Sequence, residues 1–231
     1  MKFIKQLLLV AGPTACGKST FIGTIASPAM SPLASRLGLP DLNTWPRMVA
    51  RRFHLADHLE MDRLIVHYDF VWAPGGSILQ SDWEKRALSI IGAAREVTLV
   101  TLWTPPERLE RQLIDGKLRA ALPYNALQVI KAGFFRLLPE FVVQRLSRAK
   151  MVDLFNRVFP GRLLTHHLLL LRVYSKGGST ADLYRKWLRF CDENVPHARA
   201  HCIVEFDSEL KLHSREEWES VVASLTEDPA A

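Results

Sequence analysis

Apolar residues fall in short runs along the chain, separated by stretches in which they recur every three or four positions, and the two patterns predict alternating strands and helices. The run Gln6-Leu7-Leu8-Leu9-Val10-Ala11 is short and continuous, as a strand covered on both faces would be. Lys18 to Ile25 predicts a first helix, closed by Ser27-Pro28 and Ser31-Pro32. Met48 to Phe53, preceded by Trp45-Pro46, predicts a short helix with the proline at its start. Leu64-Ile65-Val66-His67-Tyr68-Asp69 predicts a buried strand that delivers an acid to its C-terminal end.

Beyond the Pro74-Gly75-Gly76 break, Ser81-Asp82-Trp83-Glu84 has capping-box spacing for a helix reaching about Arg95, and Val97 to Trp103 restores a strand pattern. Thr104-Pro105-Pro106-Glu107 offers a cap, a helix-starting proline and an acid for a helix carrying Arg108 and Arg111. Helical periodicity then recurs at Ala126–Phe135, Glu140–Phe155 and Ala181–Cys191. Lys176-Gly177-Gly178-Ser179 reads as a hinge. His201 to Asp207 predicts a last strand, Ser214-Arg215-Glu216-Glu217 a cap, and the helix behind it runs through Leu225 before a frayed tail.

Strands alternating with helices imply a parallel sheet with right-handed crossovers, whose ligands collect beyond the carboxyl ends of the strands. Gly12 and Asp69 would both lie there. The expected organisation is one α/β domain over residues 1–231, with a mainly helical lid or insertion at about 116–195. Trp187, Phe190, Phe134, Phe135 and Phe141 are expected as packing within that insertion.

Composition narrows the class. A chain of 231 residues with 48% hydrophobic content suits one sizeable globular domain. Cys16, Cys191 and Cys202 are odd in number and lack zinc-ligand spacing, which argues against a disulfide framework and for a reducing cytoplasm. The apolar run Leu163 to Val173 is too short to span a bilayer and contains His166, His167 and Arg172. Adjacent histidines diverge on a helix, so this pair predicts no structural metal. The net charge of +6 is uneven, at about +3 for residues 1–104, +9 for 105–200 and −6 for 201–231. The cationic middle fits a phosphate-closing lid, an RNA or anionic membrane contact, or solvated helix faces.

The chemistry concentrates in Gly12-Pro13-Thr14-Ala15-Cys16-Gly17-Lys18-Ser19-Thr20, which fills every position of the pattern G-x-x-x-x-G-K-[ST]. Successive N–H groups of such a loop point inward at a helix N-terminus and cradle phosphate oxygens. Lys18 would reach the β- and γ-phosphates, and the Ser19 hydroxyl would join the shell of a Mg²⁺ bridging them. A basic start, an apolar stretch and Cys16 also permit a lipoprotein signal, but the apolar core is short and no Leu-x-x-Cys order surrounds the cysteine. Cys16 reads as a small filler at a variable position, or as a thiol whose pKa the phosphate nest lowers.

With this loop, the chain resembles the P-loop nucleoside triphosphate hydrolases, in their small-molecule and nucleotide kinase branch. The resemblance implies a three-layer parallel sheet, ATP and Mg²⁺ as ligands, and residues 12–20 as the nucleotide site. It implies that Asp69 holds Mg²⁺ through water or accepts a proton from the acceptor, with Asp207 as rival and a simple turn cap as the alternative. Arg108, Arg111 and Arg119 are lid candidates, although Arg111 could instead pair with Glu107. Arg47, Arg51 and Arg52 stand where such kinases build the acceptor pocket, and would suit an anionic acceptor. His54, Asp57, His58 and His67 could join them or be ordinary surface.

The guanine-reading Asn-Lys-x-Asp element and the lid signature of nucleoside monophosphate kinases are both absent from the sequence. The expected function is phosphoryl transfer from ATP to a small molecule. Alternatives are a nucleotide-dependent ATPase switch or assembly protein with a protein partner, and, lower, a sulfotransferase. Nucleic acid is not an expected partner, nor is a membrane span.

Overall fold

A computed structural model of the chain describes residues 4–25, 27, 34–35, 37–39, 41–53, 61–70, 79–113, 170, 173–174, 177–207 and 210–226. It is an α/β structure whose six strands form one sheet. They are β1 (Ile4–Gly12), β2 (Arg47–Val49), β3 (Met61–Asp69), β4 (Ala94–Trp103), β5 (Ala200–Phe206) and β6 (Leu210–His213), in the order β2-β3-β1-β4-β5-β6. All pairings are parallel except β5 with β6, which is antiparallel. Five α-helices are described: α1 (Lys18–Ile25), α2 (Leu79–Gly92), α3 (Pro106–Gln112), α4 (Gly177–Asn194) and α5 (Arg215–Thr226).

Leu7, Leu8, Leu9 and Val10 are all buried, and because successive strand side chains point to opposite faces, both faces of β1 are covered. The same holds for Leu64, Ile65 and Val66 on β3. This central pair fixes the site, since its register sets Gly12 beside Asp69.

Several expectations are corrected. Met48 to Phe53 is not a helix: Arg47–Val49 pair with β3 and only Ala50–Arg52 turn, as a single 3₁₀ turn. A six-residue helix nucleates poorly, whereas the open edge of β3 supplies backbone partners at once, beginning with the Ile65 N–H to the Pro46 carbonyl at 2.8 Å. Ser81 lies inside α2, which starts at Leu79. Thr104 does not cap α3; Pro105 holds that position without a side-chain bond. Gly177 to Ser179, part of the expected hinge, form the first turn of α4.

The capping box before α5 is as expected, with the Glu217 N–H donating to Ser214 Oγ at 3.1 Å and the Ser214 N–H to Glu217 Oε2 at 2.7 Å. The strand β6 was not foreseen. It alternates Leu210-Lys211-Leu212-His213 and closes the sheet, with His213 Nε2 and Glu205 Oε2 3.2 Å apart on neighbouring strands.

The chain divides into two compact units, residues 1–104 with 181–231, and residues 105–180. In the second, α3 carries Arg108 and Arg111, and the Thr180 hydroxyl donates to the Val173 carbonyl at 3.2 Å. Residues 114–169 lie outside the described residues, and with them Arg119, Phe134, Phe135, Phe141, His166, His167 and most of the expected insertion. Among the described residues, no helix is long and apolar enough to cross a membrane.

Trp187 and Phe190, expected within the insertion, belong to the unit of the sheet. Trp187 stacks on Phe70 at 5.0 Å and 9°, and on Tyr68 at 5.4 Å, so the residues on either side of Asp69 rest on one indole. Its Nε1–H donates to Thr101 Oγ1 at 2.9 Å, and that oxygen lies 2.9 Å from His201 Nε2. Burial pushes the His201 pKa down from 6.5 to about 4, aided by Arg215 and opposed by Asp192.

The unfolded His201 ring takes up a proton at a pH where the folded ring stays neutral. Stability is therefore expected to fall as pH drops from 6.5 toward 4, by an amount on the order of 3 kcal/mol, and to level off below. Urea unfolding of wild type and His201→Gln across this range checks it. A difference between the two that does not change with pH would refute the assignment.

Candidate functional site

The loop that joins β1 to α1 is shaped by two close constraints. A Cβ on Gly12 would collide with Cys16 Sγ and lie 3.3 Å from the Leu102 carbonyl oxygen of β4, so the loop folds onto the strand end only because residue 12 has no side chain. Ala15 and Gly17 both take left-handed conformations, with φ of 72° and 88°. Gly17 adopts this freely, whereas Ala15 carries a cost on the order of 1 kcal/mol. The reversal is closed by the Cys16 N–H to the Pro13 carbonyl at 3.3 Å, and α1 starts at once with the Phe21 N–H bonded to the Gly17 carbonyl at 2.9 Å.

Lys18, the first residue of α1, is 3% exposed and turns its ammonium back into the loop. Nζ lies 2.9 Å from the Gly12 carbonyl, 2.6 Å from the Pro13 carbonyl, 3.4 Å from Cys16 Sγ and 2.8 Å from Asp69 Oδ1. These partners exceed its three N–H groups, so a charge that burial would penalise is held by full dipoles and a carboxylate. The Gly12 carbonyl also accepts the Phe70 N–H at 3.3 Å, which locks the strand end that bears Asp69 to the loop.

Asp69 and His67 are two residues apart on β3 and share a face. His67 Nε2 lies 3.7 Å from Asp69 Oδ2, and His67 Nδ1 lies 3.4 Å from the exposed Ser19 hydroxyl. Ser19, His67, Asp69 and Lys18 thus form one polar chain across the ends of β1 and β3. On the other side, the Thr104 hydroxyl donates to the Cys16 carbonyl at 3.3 Å. The Tyr184 hydroxyl accepts the Thr104 N–H at 3.2 Å and donates to the Leu102 carbonyl at 2.8 Å.

The structure therefore joins Gly12, Pro13, Cys16, Gly17, Lys18, Ser19 and Asp69 in one site, with Thr14 and Ala15 in the same loop. Thr20 is exposed on α1, where its carbonyl accepts the Thr24 hydroxyl at 2.8 Å. Asp207 is exposed just past β5. Arg108 and Arg111 lie on α3 in the other unit. Burial raises the Cys16 pKa despite the neighbouring ammonium, so the thiol is the packed small filler expected at this position and not the activated alternative.

From the sequence, His67 stands only as a possible pocket residue and Thr104 only as a cap. The two-residue spacing from Asp69 carries the signal for His67; Thr104 carries none, because its partner is 88 positions away.

Beside this chain lies a cleft of about 360 Å³, lined by Ser19 and Ile22 of α1, Arg47, Met48 and Val49 of β2, Arg52, and His67 of β3. The side chain of Arg51 and all of His54, Asp57 and His58 lie outside the described residues. Among the described residues there is no cluster of three His, Cys, Asp or Glu able to hold a metal without further ligands. No family model matches the chain, and no curated protein matches its sequence.

Gly12→Ala is expected to destabilise the protein by roughly 1–3 kcal/mol, through overpacking against Cys16 and Leu102. Adding Cys16→Ala should recover part of the loss by removing the sulfur. Chemical denaturation of the two single variants and the double variant measures the coupling; strict additivity would show that the sulfur is not the obstacle.

Proposed function

We propose that the chain is an ATP-dependent phosphotransferase of the P-loop kinase kind, moving the γ-phosphoryl group to a small-molecule acceptor. The observation that carries this reading is the Lys18 ammonium, buried in a glycine-dependent loop and held by the Gly12 and Pro13 carbonyls and Asp69. A buried cation with exchangeable oxygen partners suits phosphate oxygens, which can replace the carbonyls at little desolvation cost.

The residues fit a nucleotide–Mg²⁺ pair. The N-terminus of α1, which follows the loop directly, favours an anion. Ser19 and Asp69 would hold the Mg²⁺, a cation that binds through one or two protein oxygens plus substrate phosphates and so needs no protein cage. When bound, it neutralises charge on the transferred group. Lys18 anchors the same charge from the protein side and keeps it in the plane of the loop. In place of that metal role, the Asp69 carboxylate would accept the proton of the acceptor hydroxyl, with Oδ2 lying 3.7 Å from His67 Nε2.

A second reading, a nucleotide-dependent switch, is favoured by the Thr104–Cys16 bond. That bond ties the loop to the end of β4, so a change at the Cys16 carbonyl would be felt at Thr104. Rapid ATP hydrolysis without acceptor, and no phosphorylated product from a metabolite panel, would select the switch over the kinase.

Lys18→Ala is expected to reduce turnover about 100-fold or more. It should also lower the melting temperature, because two carbonyls and a carboxylate lose their shared donor. A coupled assay and a thermal melt measure the two effects. A folded Lys18→Ala protein with near-normal turnover would sink the proposal.

A further inference from the structure

The cleft beside Ser19 and His67 has a composition that selects its occupant. Arg47 stands on β2 and Arg52 on the turn that follows, both exposed and both lining the cavity. Other arginines of the same unit engage carboxylates: Arg185 with Glu219 at 3.1 Å, Arg199 with Glu96 at 3.4 Å, and Arg215 with Asp192 at 3.8 Å. Among the described residues, Arg47 and Arg52 have no carboxylate within ion-pair distance. Two guanidinium groups that line one cavity, with no carboxylate paired to them among the described residues, suit an external anion.

The remaining lining is apolar. Ile22, Met48 and Val49 supply carbon surface, while Ser19 and His67 mark the end that meets the polar chain of the loop. A volume of about 360 Å³ lies at the small end of ligand pockets, the size of a metabolite and not of a polymer segment. We infer that this cleft binds the phosphoryl acceptor, and that the acceptor is a small molecule with a fixed phosphate or carboxylate on an apolar body. The anion is held by Arg47 and Arg52, and the reactive hydroxyl is turned toward Ser19 and His67. The term acceptor rests on the phosphotransferase reading; the anion site does not.

Phenyl phosphate is the probe, titrated into the full chain with and without a non-hydrolysable ATP analogue and Mg²⁺. Binding is read by calorimetry and by the backbone amide signals of Val49 and His67. Arg47→Gln/Arg52→Gln should raise the Kd for phenyl phosphate at least tenfold, leave the nucleotide Kd unchanged, and keep the wild-type melting temperature, since both side chains are exposed. Inorganic phosphate should bind more weakly than phenyl phosphate, and neutral benzyl alcohol should not bind. Benzoate as tight as phenyl phosphate identifies a carboxylate acceptor, and weaker benzoate a phosphate ester.

Equal phenyl phosphate affinity in the wild type and the double variant overturns the inference, as do signal shifts confined to residues 12–20. Arg47→Gln and Arg52→Gln taken singly repeat the test should the double variant melt early. Loss of nucleotide binding with the cleft still occupied would fell the phosphotransferase reading and leave the anion site standing.

Discussion

A single ammonium group sets the conditions for the end of this sheet. Lys18 Nζ is buried, and a buried cation without compensation would cost several kcal/mol. Its partners must therefore be in place: the Gly12 and Pro13 carbonyls turned inward, and the Asp69 carboxylate brought to within 2.8 Å. Each requirement passes outward. The inward carbonyls need a loop that reverses within a few residues, the reversal needs left-handed positions and a missing Cβ at Gly12, and Asp69 needs β3 aligned with β1 so that Gly12 faces it.

That alignment is supported from behind by aromatic packing. Tyr68 and Phe70 bracket Asp69 and stack on Trp187, whose indole is tied to Thr101 on β4. The position of a half-exposed carboxylate thus depends on a helix that begins 108 positions further along the chain. Through Tyr184, the same helix orders the end of β4, from which Thr104 reaches the loop. The candidate site is a meeting point of strand ends, and the packing that holds them lies well away from it.

Much of this was legible in the sequence. The strands ending at Gly12, Asp69 and Trp103 announced themselves as continuous apolar runs, because a strand buried on both faces has no room for polar alternation. The loop motif named its own glycines and lysine. What stayed hidden depended on distant partners. Residues 47–49 became a strand because an open edge was waiting, β6 because β5 offered another, and Thr104 left its capping role for a carbonyl 88 positions back. Cys16 was left between two readings for a related reason: proximity to a cation is visible in sequence, whereas the burial that outweighs it and makes the thiol a filler is not.

The left-handed Ala15 bears on how tightly the loop can hold a ligand. An alanine in that conformation disfavours the folded loop relative to a glycine, yet it also narrows the shapes that the loop can take when it opens. Any ligand that such a loop were to take would spend less of its interaction energy on ordering the backbone. Exchanging Ala15 for glycine would relax the protein and, by the same step, enlarge the conformational entropy that every binding event must remove.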